Sequence, residues 1–326
     1  MGNQKNRLQR SFSNLNIWIP YMILAIILII MGIYQPGVIN FNWLNRQADA
    51  WVTLALAGIG QTLVFMIGGT DLSVGGVISF TNCLAAVYMP QSVPGILAFS
   101  LGILLIGVLA GAFNGFIIVK FRLQPFIATL TTWAIWSGAA LCILSVDGGK
   151  VPSLFTKALL HKFGSVKVSL LLLAALIVIG IFFKASRLGI ALVSVGSNEK
   201  GAYFGGISVT RTKILVYMIS GLLAAASGLF RTAQVASGSP TAGDSFILLS
   251  CASAVIGGCS VATGYYSFAG AIVGAVIMRL LTGLMVATGV SSYMTSLLQG
   301  VILILAVCLS SFTALFHNRK KMEVDV

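Results

Sequence analysis

Three groups of polar and glycine residues interrupt a sequence that is otherwise almost continuously apolar. The first runs from Gly68 to Gly76 and holds Gly69, the acidic Asp71 and the hydroxyl group of Ser73. An acidic side chain within an apolar stretch costs about 2.5–3.5 kcal/mol on membrane-insertion scales, so it usually has a partner or a task. Asp71 either caps the helix that follows it or lines a polar path, and the glycines permit a tight turn there.

The second group is a strip of glycines at a spacing of four residues, Gly107, Gly111 and Gly115, with Asn114 beside it. Small residues at this spacing let another helix approach closely, so the pattern predicts helix packing. Asn114 either forms a hydrogen bond across helices or lines a polar path, and the sequence leaves both interpretations open.

The third group is the longest polar stretch, from Gly196 to Lys213. Its candidate interaction residues are Asn198, Glu199, Lys200, Gly201, Ala202 and Gly206. Asn198 suits the N-cap of a short surface helix, and Glu199 suits its first turn because the helix dipole stabilises acidic groups there. The alternative interpretation is a solvated loop without a docking role.

The composition determines the class of protein that must position these groups. The chain has 326 residues, 58% of them hydrophobic and 8% charged, against about 25% charged in an ordinary soluble domain. A bilayer accepts such a chain and a soluble fold does not, so we expect an all-α membrane protein that crosses the bilayer several times. The five cysteines lack the spacing of a zinc or redox site, and we expect neither a metal nor a cofactor.

A transmembrane helix needs about 20 apolar residues, and this length predicts about ten spans. They are 16–34, 51–68, 72–90, 94–119, 125–145, 168–184, 213–232, 246–261, 267–288 and 293–312. The prediction is a single transmembrane domain over residues 1–326, with polar segments at 1–15, 185–213 and 313–326.

The distribution of basic residues predicts the orientation. The net charge is +13, and with the N-terminus inside, cytoplasmic segments hold 13 of the 20 Lys and Arg residues. These are Lys5, Arg7, Arg10, Lys120, Arg122, Lys184, Arg187, Lys200, Arg211, Lys213, Arg319, Lys320 and Lys321. The excess of inner positive charge favours cytoplasmic termini and makes nucleic acid an improbable partner.

Two further features concern the spans. The external segment 146–167 contains a weakly periodic stretch that could form a short surface helix, either as a plain connector or as a landing site for a soluble partner. The pair Gly257-Gly258 resembles Gly68-Gly69, and both pairs end a helix at its inner end in this topology. An internal duplication, frequent in transporter folds, is the inference from that likeness.

Five sequence blocks in order resemble the membrane-spanning permease subunits of bacterial ATP-binding-cassette importers for monosaccharides, including ribose, galactoside, xylose, arabinose and autoinducer-2 systems. The blocks are Gly68-Gly-Thr-Asp-Leu-Ser-Val-Gly75; Asn114-Gly115 with Pro125-Phe-Ile-Ala-Thr-Leu130; Gly196-x-Asn198-x3-Ala202-x3-Gly206-Ile207 with Tyr217-x2-Ser220; Gly257-Gly-x-Ser260; and Gln299-Gly300. The resemblance covers most of the chain.

The resemblance implies a permease in the bacterial inner membrane that pairs with a second copy or a paralogous permease. It also implies a cytoplasmic ATPase subunit as the motor and a periplasmic binding protein that delivers the solute. The segment from Asn198 to Gly206 matches the loop that docks into the ATPase. Departures from the family pattern, namely Gly201, Ile247-Leu-Leu249, Thr263-Gly264 and Thr282-Gly283, leave the solute undetermined.

Two other classes of function compete with this one. The chain lacks the Gly-x4-Gly-Lys-Ser/Thr loop that binds nucleotide phosphates, so it is not itself the ATPase. A stand-alone secondary transporter or channel is the alternative, but its spans would usually hold several carboxylates or histidines, and this chain offers Asp71 alone. An intramembrane enzyme would need paired catalytic groups within the spans, and none is evident.

Overall fold

The fold is known from a computed structural model that describes residues 2–34, 37, 39–259, 264–291 and 293–305, with side chains from residue 18 onward. The described helices are α1 (Gly2–Tyr34), α2 (Phe41–Met66), α3 (Ser73–Tyr88), α4 (Val93–Phe121), α5 (Pro125–Ile143), α6 (Ser153–Leu159), α7 (Val168–Ala185), α8 (Arg187–Ser197), α9 (Glu199–Phe204), α10 (Val209–Val235), α11 (Asp244–Ile256), α12 (Phe268–Ala287) and α13 (Tyr293–Leu305). Strands β1 (Lys162–Phe163) and β2 (Val166–Lys167) form one antiparallel hairpin. Ser260, the end of the tenth expected span and the segment 313–326 lie outside the described residues.

The predicted helical, multi-pass class is confirmed. Each of the ten expected spans falls on a helix, and within the described residues six helices are long and apolar enough to cross a membrane: α2, α4, α5, α7, α10 and α12. Trp18–Tyr34 of α1, together with α3, α11 and α13, are shorter apolar helices. The count of ten spans and the cytoplasmic termini remain predictions.

Helix α2 is the centre of the bundle. Other helices enclose it along nearly all of its length, whereas α4, α5 and α7 present most of their apolar surface outward. Helices α7, α10, α11 and α12 all pack against α2, and α10 also packs against α3 and α4. Because a bilayer supplies no hydrophobic drive between helices, such contacts depend on close packing of small residues.

The glycine strip predicted to pack does so against α10. A Cβ atom on Gly111 would lie 2.0 Å from the carbonyl oxygen of Tyr217, and one on Gly107 would lie 2.4 Å from that of Gly221. A Cβ on Gly115 would meet the Cα atom of Ile214 at 2.8 Å. The two helix backbones therefore touch along three successive turns of α4.

The bundle has two ends, which we name by their landmarks. The hairpin end carries β1 and β2, and the α9 end carries α8 and α9. The 18 residues of α7 separate them, a distance of about 27 Å at 1.5 Å per residue. The segment 146–167 at the hairpin end contains the expected short helix, α6, but the hairpin that follows was not predicted.

Helix α2 begins ten residues earlier than the expected span, at Phe41. The polar residues before Trp51 look like a loop in the sequence, but the fold gives them partners at the hairpin end. Asn45 Oδ1 accepts the backbone N–H of Lys167 at 2.9 Å, and Asp49 forms an ion pair with the Lys167 side chain. The Ser169 hydroxyl donates to Asp49 Oδ1 at 2.5 Å.

A second polar connection at the hairpin end joins α3 to the end of α10. Asn82 is buried and donates to Thr232 Oγ1 at 2.8 Å and to the Ser237 carbonyl at 3.1 Å. Its Oδ1 accepts the backbone N–H of Ser239 at 2.7 Å. Together with the bridge between Gly148 and Gly238, these bonds join the parts of α3 and α10 nearest the hairpin end to the segment that leads into α6.

Candidate functional site

Asp71 lies in the connection between α2 and α3 and is 1% exposed. Its Oδ1 accepts the backbone N–H of Ser73 at 3.1 Å and the Ser73 hydroxyl at 2.5 Å. Its Oδ2 accepts the Ser220 hydroxyl of α10 at 2.7 Å. Burial raises the pKa of the Asp71 carboxyl above its ordinary value, although the hydrogen bonds from Ser73 and Ser220 partly offset this rise.

Neighbouring residues extend these bonds to four helices. Asn114 of α4 donates to Ser73 Oγ at 2.8 Å. The Thr70 carbonyl accepts the Tyr217 hydroxyl of α10 and the Thr129 hydroxyl of α5, each at 3.3 Å. We call the set Thr70, Asp71, Ser73, Asn114, Thr129, Tyr217 and Ser220 the Asp71 cluster. It joins α3, α4, α5 and α10 at the α9 end of the bundle.

The geometry bears on both interpretations of Asp71. Leu72 occupies the position before α3 and supplies no capping side chain, whereas Asp71, one residue earlier, accepts the N–H of Ser73 at the start of the helix. Since helix limits vary by a residue or two between definitions, this bond is a capping contact. The carboxylate also bonds to α10, so its surroundings differ from those of an ordinary surface cap.

In each of the glycine pairs Gly68-Gly69 and Gly257-Gly258, one glycine adopts a positive φ and the other packs closely against neighbouring atoms. Gly68 and Gly258 each adopt a positive φ, +72° and +84°, at the point where the chain reverses after a helix. Their neighbours face backbone or side-chain atoms instead: a Cβ on Gly69 would lie 2.5 Å from the Tyr217 hydroxyl, and one on Gly257 would lie 2.5 Å from the Gly270 carbonyl.

The two turns also share one hydrogen-bond pattern. Gly68 N donates to the Phe65 carbonyl and Gly69 N to the Val64 carbonyl, as in a Schellman motif. At the second turn, the bonds run from Gly258 N to Val255 and from Cys259 N to Ala254. The predicted likeness of the two pairs therefore holds for the turn, although the glycine with positive φ comes first in one pair and second in the other.

The polar stretch from Gly196 to Lys213 is largely helical. As predicted, Asn198 is the N-cap of a short helix, and its side chain accepts the backbone N–H of Gly201 at 2.9 Å. Glu199 opens the first turn and forms an ion pair with Lys213 at 2.6 Å. Lys200 is exposed.

The end of α9 is also defined by its residues. Gly206 has φ +82°, its N–H donates to the Tyr203 carbonyl, and the Ile207 N–H donates to the Ala202 carbonyl, which is again a Schellman motif. Ala202 is buried, whereas Tyr203 and Phe204 are 69% and 85% exposed. A six-residue helix thus places two adjacent aromatic rings on the surface.

Helix α9 is tied to the Asp71 cluster through α8. A Cβ on Gly196, near the end of α8, would lie 1.8 Å from the Met66 carbonyl, so α8 rests directly on the end of α2. A cavity of about 340 Å³ opens between these elements, lined among others by Gly69, Glu199, Lys213 and Tyr217. The ion pair of α9 and the ring of Tyr217 therefore face the same space.

The remaining predicted residue lies elsewhere. Gln299 of α13 donates to Thr282 Oγ1 of α12 at 3.0 Å and does not join the Asp71 cluster. The structure thus brings Gly68, Gly69, Asp71, Ser73 and Asn114 together.

Sequence reasoning missed several residues of this region. Tyr217 and Ser220 belong to one of the quoted sequence blocks but were not predicted as site residues, although both bond to the Asp71 cluster. Their spacing of three residues places them on one face of α10, and this spacing is the signal that could have identified them. Tyr203 and Phe204 could have been identified as adjacent aromatic residues in an otherwise polar segment.

The matching family and the similar proteins given below are all named as transport permeases. The family described as branched-chain amino acid transport system, permease component, matches residues 47–307. The chain is 32% identical to the ribose import permease protein of Bacillus subtilis over 297 residues, which cover 89% of this chain and 91% of that protein. The ribose import permease protein of Escherichia coli K12 is 32% identical over 292 residues, with coverages of 87% and 90%. The fructose import permease protein of Bifidobacterium longum is 28% identical over 314 residues, with 92% of each chain covered. No solved structure matches the chain.

Proposed function

The chain belongs to this family of permease components, and we propose that it forms the translocation pathway of an ATP-binding-cassette importer for a monosaccharide or a related small polar solute. The observation that carries the proposal is the match to sugar import permeases over nearly the full length of both chains. The relatives are permease subunits and not enzymes, so ATP hydrolysis is assigned to a separate subunit.

We also propose the location, the orientation and the partners of the permease. The whole chain, residues 1–326, acts as one transmembrane domain in the bacterial inner membrane, with the α9 end in the cytoplasm. Its partners are a cytoplasmic ATPase, a periplasmic binding protein and a second permease, either identical or paralogous. The excess of positive charge in the segments of the α9 end supports this orientation.

Helix α9 is the proposed contact with the ATPase. Tyr203 and Phe204 are large, exposed and adjacent, with ring centroids 5.8 Å apart. Exposed aromatic residues on a rigid support are typical anchors of protein interfaces, because burying them in a partner releases much apolar surface from water. The caps at Asn198 and Gly206 hold the rings in place before docking, which reduces the entropy lost on binding.

The proposed movement passes from α9 to the Asp71 cluster. Helix α8 presses on the end of α2 at Gly196, and Glu199 is bonded to α10 through Lys213. Since α10 carries Tyr217 and Ser220 into the Asp71 cluster, a displacement of α9 by the ATPase moves α2 and α10 as one body. The result is a change in access to the pathway, driven by ATP in the partner subunit.

The experiment compares Phe204→Ser with Phe163→Ser in the permease co-expressed with its ATPase and binding protein. Phe163 is 65% exposed at the hairpin end, so its replacement is a matched loss of a surface ring. We expect Phe204→Ser to reduce capture of the ATPase by the tagged permease at least about tenfold, as for an anchor worth ~1.4 kcal/mol or more. Phe163→Ser should leave capture unchanged.

Two results would contradict this proposal. Capture and solute-stimulated ATP hydrolysis that survive Phe204→Ser would exclude α9 as the contact. Solute uptake that continues without any ATPase subunit would support the alternative, a stand-alone secondary transporter or channel. Ala202 is unsuitable for the same test because it is buried, and a bulky residue there would disturb packing as well as docking.

A further inference from the structure

The cavity between α9 and the Asp71 cluster has room for a small molecule. It measures about 340 Å³, and ligand pockets in proteins range from about 300 to 1,000 Å³. Residues of α4, α5, α8, α9 and α10 line it, together with the turn that follows α2. It therefore lies at the meeting point of the elements that link α9 to the Asp71 cluster, yet neither docking nor transport as proposed uses it.

Glycines shape one part of the cavity. Gly68 lines it with a φ of +72°, and a Cβ atom added there would meet no other atom within 4 Å. The positive φ disfavours any side chain at this position, so the space in front of Gly68 stays open. Gly69 and Gly196 also line the cavity, but they pack tightly against Tyr217 and the end of α2.

An ion pair provides the polar part of the lining. Lys213 donates to Glu199 Oε1 at 2.6 Å, which leaves Glu199 Oε2 without a hydrogen bond among the described residues. The Lys213 ammonium has three N–H donors and uses one of them in this bond. Because the side chains of Glu199 and Lys213 are 55% and 21% exposed, a ligand that enters the cavity can reach both groups.

The other part of the lining is apolar. Ile67, Ile118 and Val195 are buried, and Pro125 and the ring of Tyr217 complete this surface. The hydroxyl of Tyr217 is already engaged as a donor in the Asp71 cluster. A molecule that fits here needs hydrocarbon surface on one part and hydrogen-bonding groups on another.

We propose that this cavity is a regulatory site for a neutral polyhydroxyl solute, such as a monosaccharide, that enters from the α9 end. A hydroxyl group both donates and accepts hydrogen bonds, so one sugar can donate to Glu199 and accept from Lys213 without breaking their ion pair. Glu199 repels a carboxylate or a phosphate group, and Lys213 repels an amine. The inference rests on the proposed function, because transport delivers such a solute to the α9 end.

A solute in this cavity connects α9 to α10. It contacts Glu199 on the first helix and Lys213 on the second, beside the turn that carries Gly68. A ligand shifts a conformational equilibrium only through its preference for one state, and a displacement of α9 changes the walls of this cavity. The solute therefore stabilises the arrangement described here and opposes the displacement of α9 that drives transport. Solute that accumulates at the α9 end slows the importer by this route.

Binding is tested with the full-length permease, purified in detergent without its partners. Its unfolding temperature is titrated separately with ribose, fructose and glucose as neutral probes, and with gluconate as the acidic control. A ligand of the folded state raises this temperature in a saturable way, whereas the general stabilisation by sugars excluded from the surface does not saturate. We expect at least one neutral sugar to act saturably, and gluconate to have no saturable effect.

Two pairs of variants locate the binding site. Glu199→Ala and Lys213→Met each remove one polar group of the cavity, and each should raise the half-saturating concentration at least about tenfold. Lys200→Ala and Arg211→Met are the matched controls, because both residues are exposed on the same two helices and lie outside the lining of the cavity. They should bind like the unmodified chain. Glu199→Ala carries the test if Lys213→Met does not fold, since Glu199 is at the surface.

Amide hydrogen exchange shows which part of the bundle the sugar contacts. The sugar that stabilises the permease should slow exchange in α9 and in the turn at Gly68 and Gly69, and it should leave the hairpin of β1 and β2 unchanged. Slower exchange at the hairpin without any change in α9 would place the sugar elsewhere and overturn the inference.

Regulation is tested in proteoliposomes of the assembled importer with the ATPase on the outside. The binding protein and a saturating concentration of the sugar fill the interior, so the same sugar can be added separately at the α9 end. We expect this addition to lower ATP hydrolysis with a half-saturating concentration close to that for binding. Binding without such inhibition, or no saturable effect of any neutral sugar, overturns the inference. The stimulation of ATP hydrolysis by the interior sugar tests the proposed function by itself, so either proposal can fail alone.

Discussion

Replacing Asp71 with alanine would leave three donors without their acceptor. They are the backbone N–H of Ser73, the Ser73 hydroxyl and the Ser220 hydroxyl, all directed at the carboxylate at 3.1, 2.5 and 2.7 Å. A buried polar group without a partner costs about 1–3 kcal/mol, and an N-cap alone about 1 kcal/mol. Because the Ser73 hydroxyl keeps its bond with Asn114, we count the cap and the Ser220 hydroxyl, which together give about 2–4 kcal/mol, and we expect a loss of about 3 kcal/mol.

Asp71→Asn is the matched control because it keeps the shape of the side chain. One oxygen remains to accept both bonds from Ser73, and the new amide group can donate to Ser220, whose hydroxyl also acts as an acceptor. All three contacts therefore have a chemical equivalent in this variant. We expect a loss of no more than about 1 kcal/mol, and transport within about twofold of the unmodified protein.

The assay combines thermal unfolding of the purified permease with solute-stimulated ATP hydrolysis in the reconstituted importer. The expected order of unfolding temperature is unmodified chain, then Asp71→Asn, then Asp71→Ala, with the larger gap before the last. An alanine variant as stable as the unmodified chain would refute the structural account of the cluster. An asparagine variant that folds normally but does not transport would show that the charge itself acts in the pathway.

Three further predictions concern packing and capping. Gly111→Ala should destabilise the permease by about 1–3 kcal/mol through overpacking, whereas Gly102→Ala in the same helix, with no atom within 4 Å of the new methyl group, should be neutral or slightly stabilising; thermal unfolding compares them. Asn198→Ala should cost α9 about 1 kcal/mol and raise amide hydrogen exchange in that helix, leaving exchange elsewhere unchanged. Asn82→Ala should cost about 1–3 kcal/mol because the partly buried N–H of Ser239 loses its acceptor, and a denaturation midpoint equal to that of the unmodified chain would contradict this.

The apolar runs and the caps were predictable because they depend on neighbouring residues. The length of each run indicates a helix, and Asn198 and the glycine strip act through contacts fixed by helical spacing. Polar residues that depend on distant partners were not predictable. The early start of α2 depends on Asn45 and Asp49 meeting residues about 120 positions away, a separation for which the sequence offers no local signal.

The Asp71 cluster shows the same division. The capping bond to Ser73 is local and was anticipated, but the bond from Ser220 joins residues 149 positions apart. That bond requires α10 to pack against the glycine strip of α4 before its serine can reach the carboxylate. The cluster is thus a product of helix packing, and a motif confined to residues 68–76 describes only half of it.

Helix α10 connects α9, the Asp71 cluster and the hairpin end. Its 27 residues extend about 40 Å, from the Lys213 contact with α9, past Tyr217 and Ser220, to Arg231 and the Asn82 bonds at the hairpin end. Its contacts with α4 are between backbones at Gly111 and Gly221, so they leave no room for sliding or bending at that point. If α9 contacts an ATPase as proposed, we expect a displacement of α9 to be passed along α10 to the Asp71 cluster and on to the hairpin end, because α10 packs against α2 and α4 over its length.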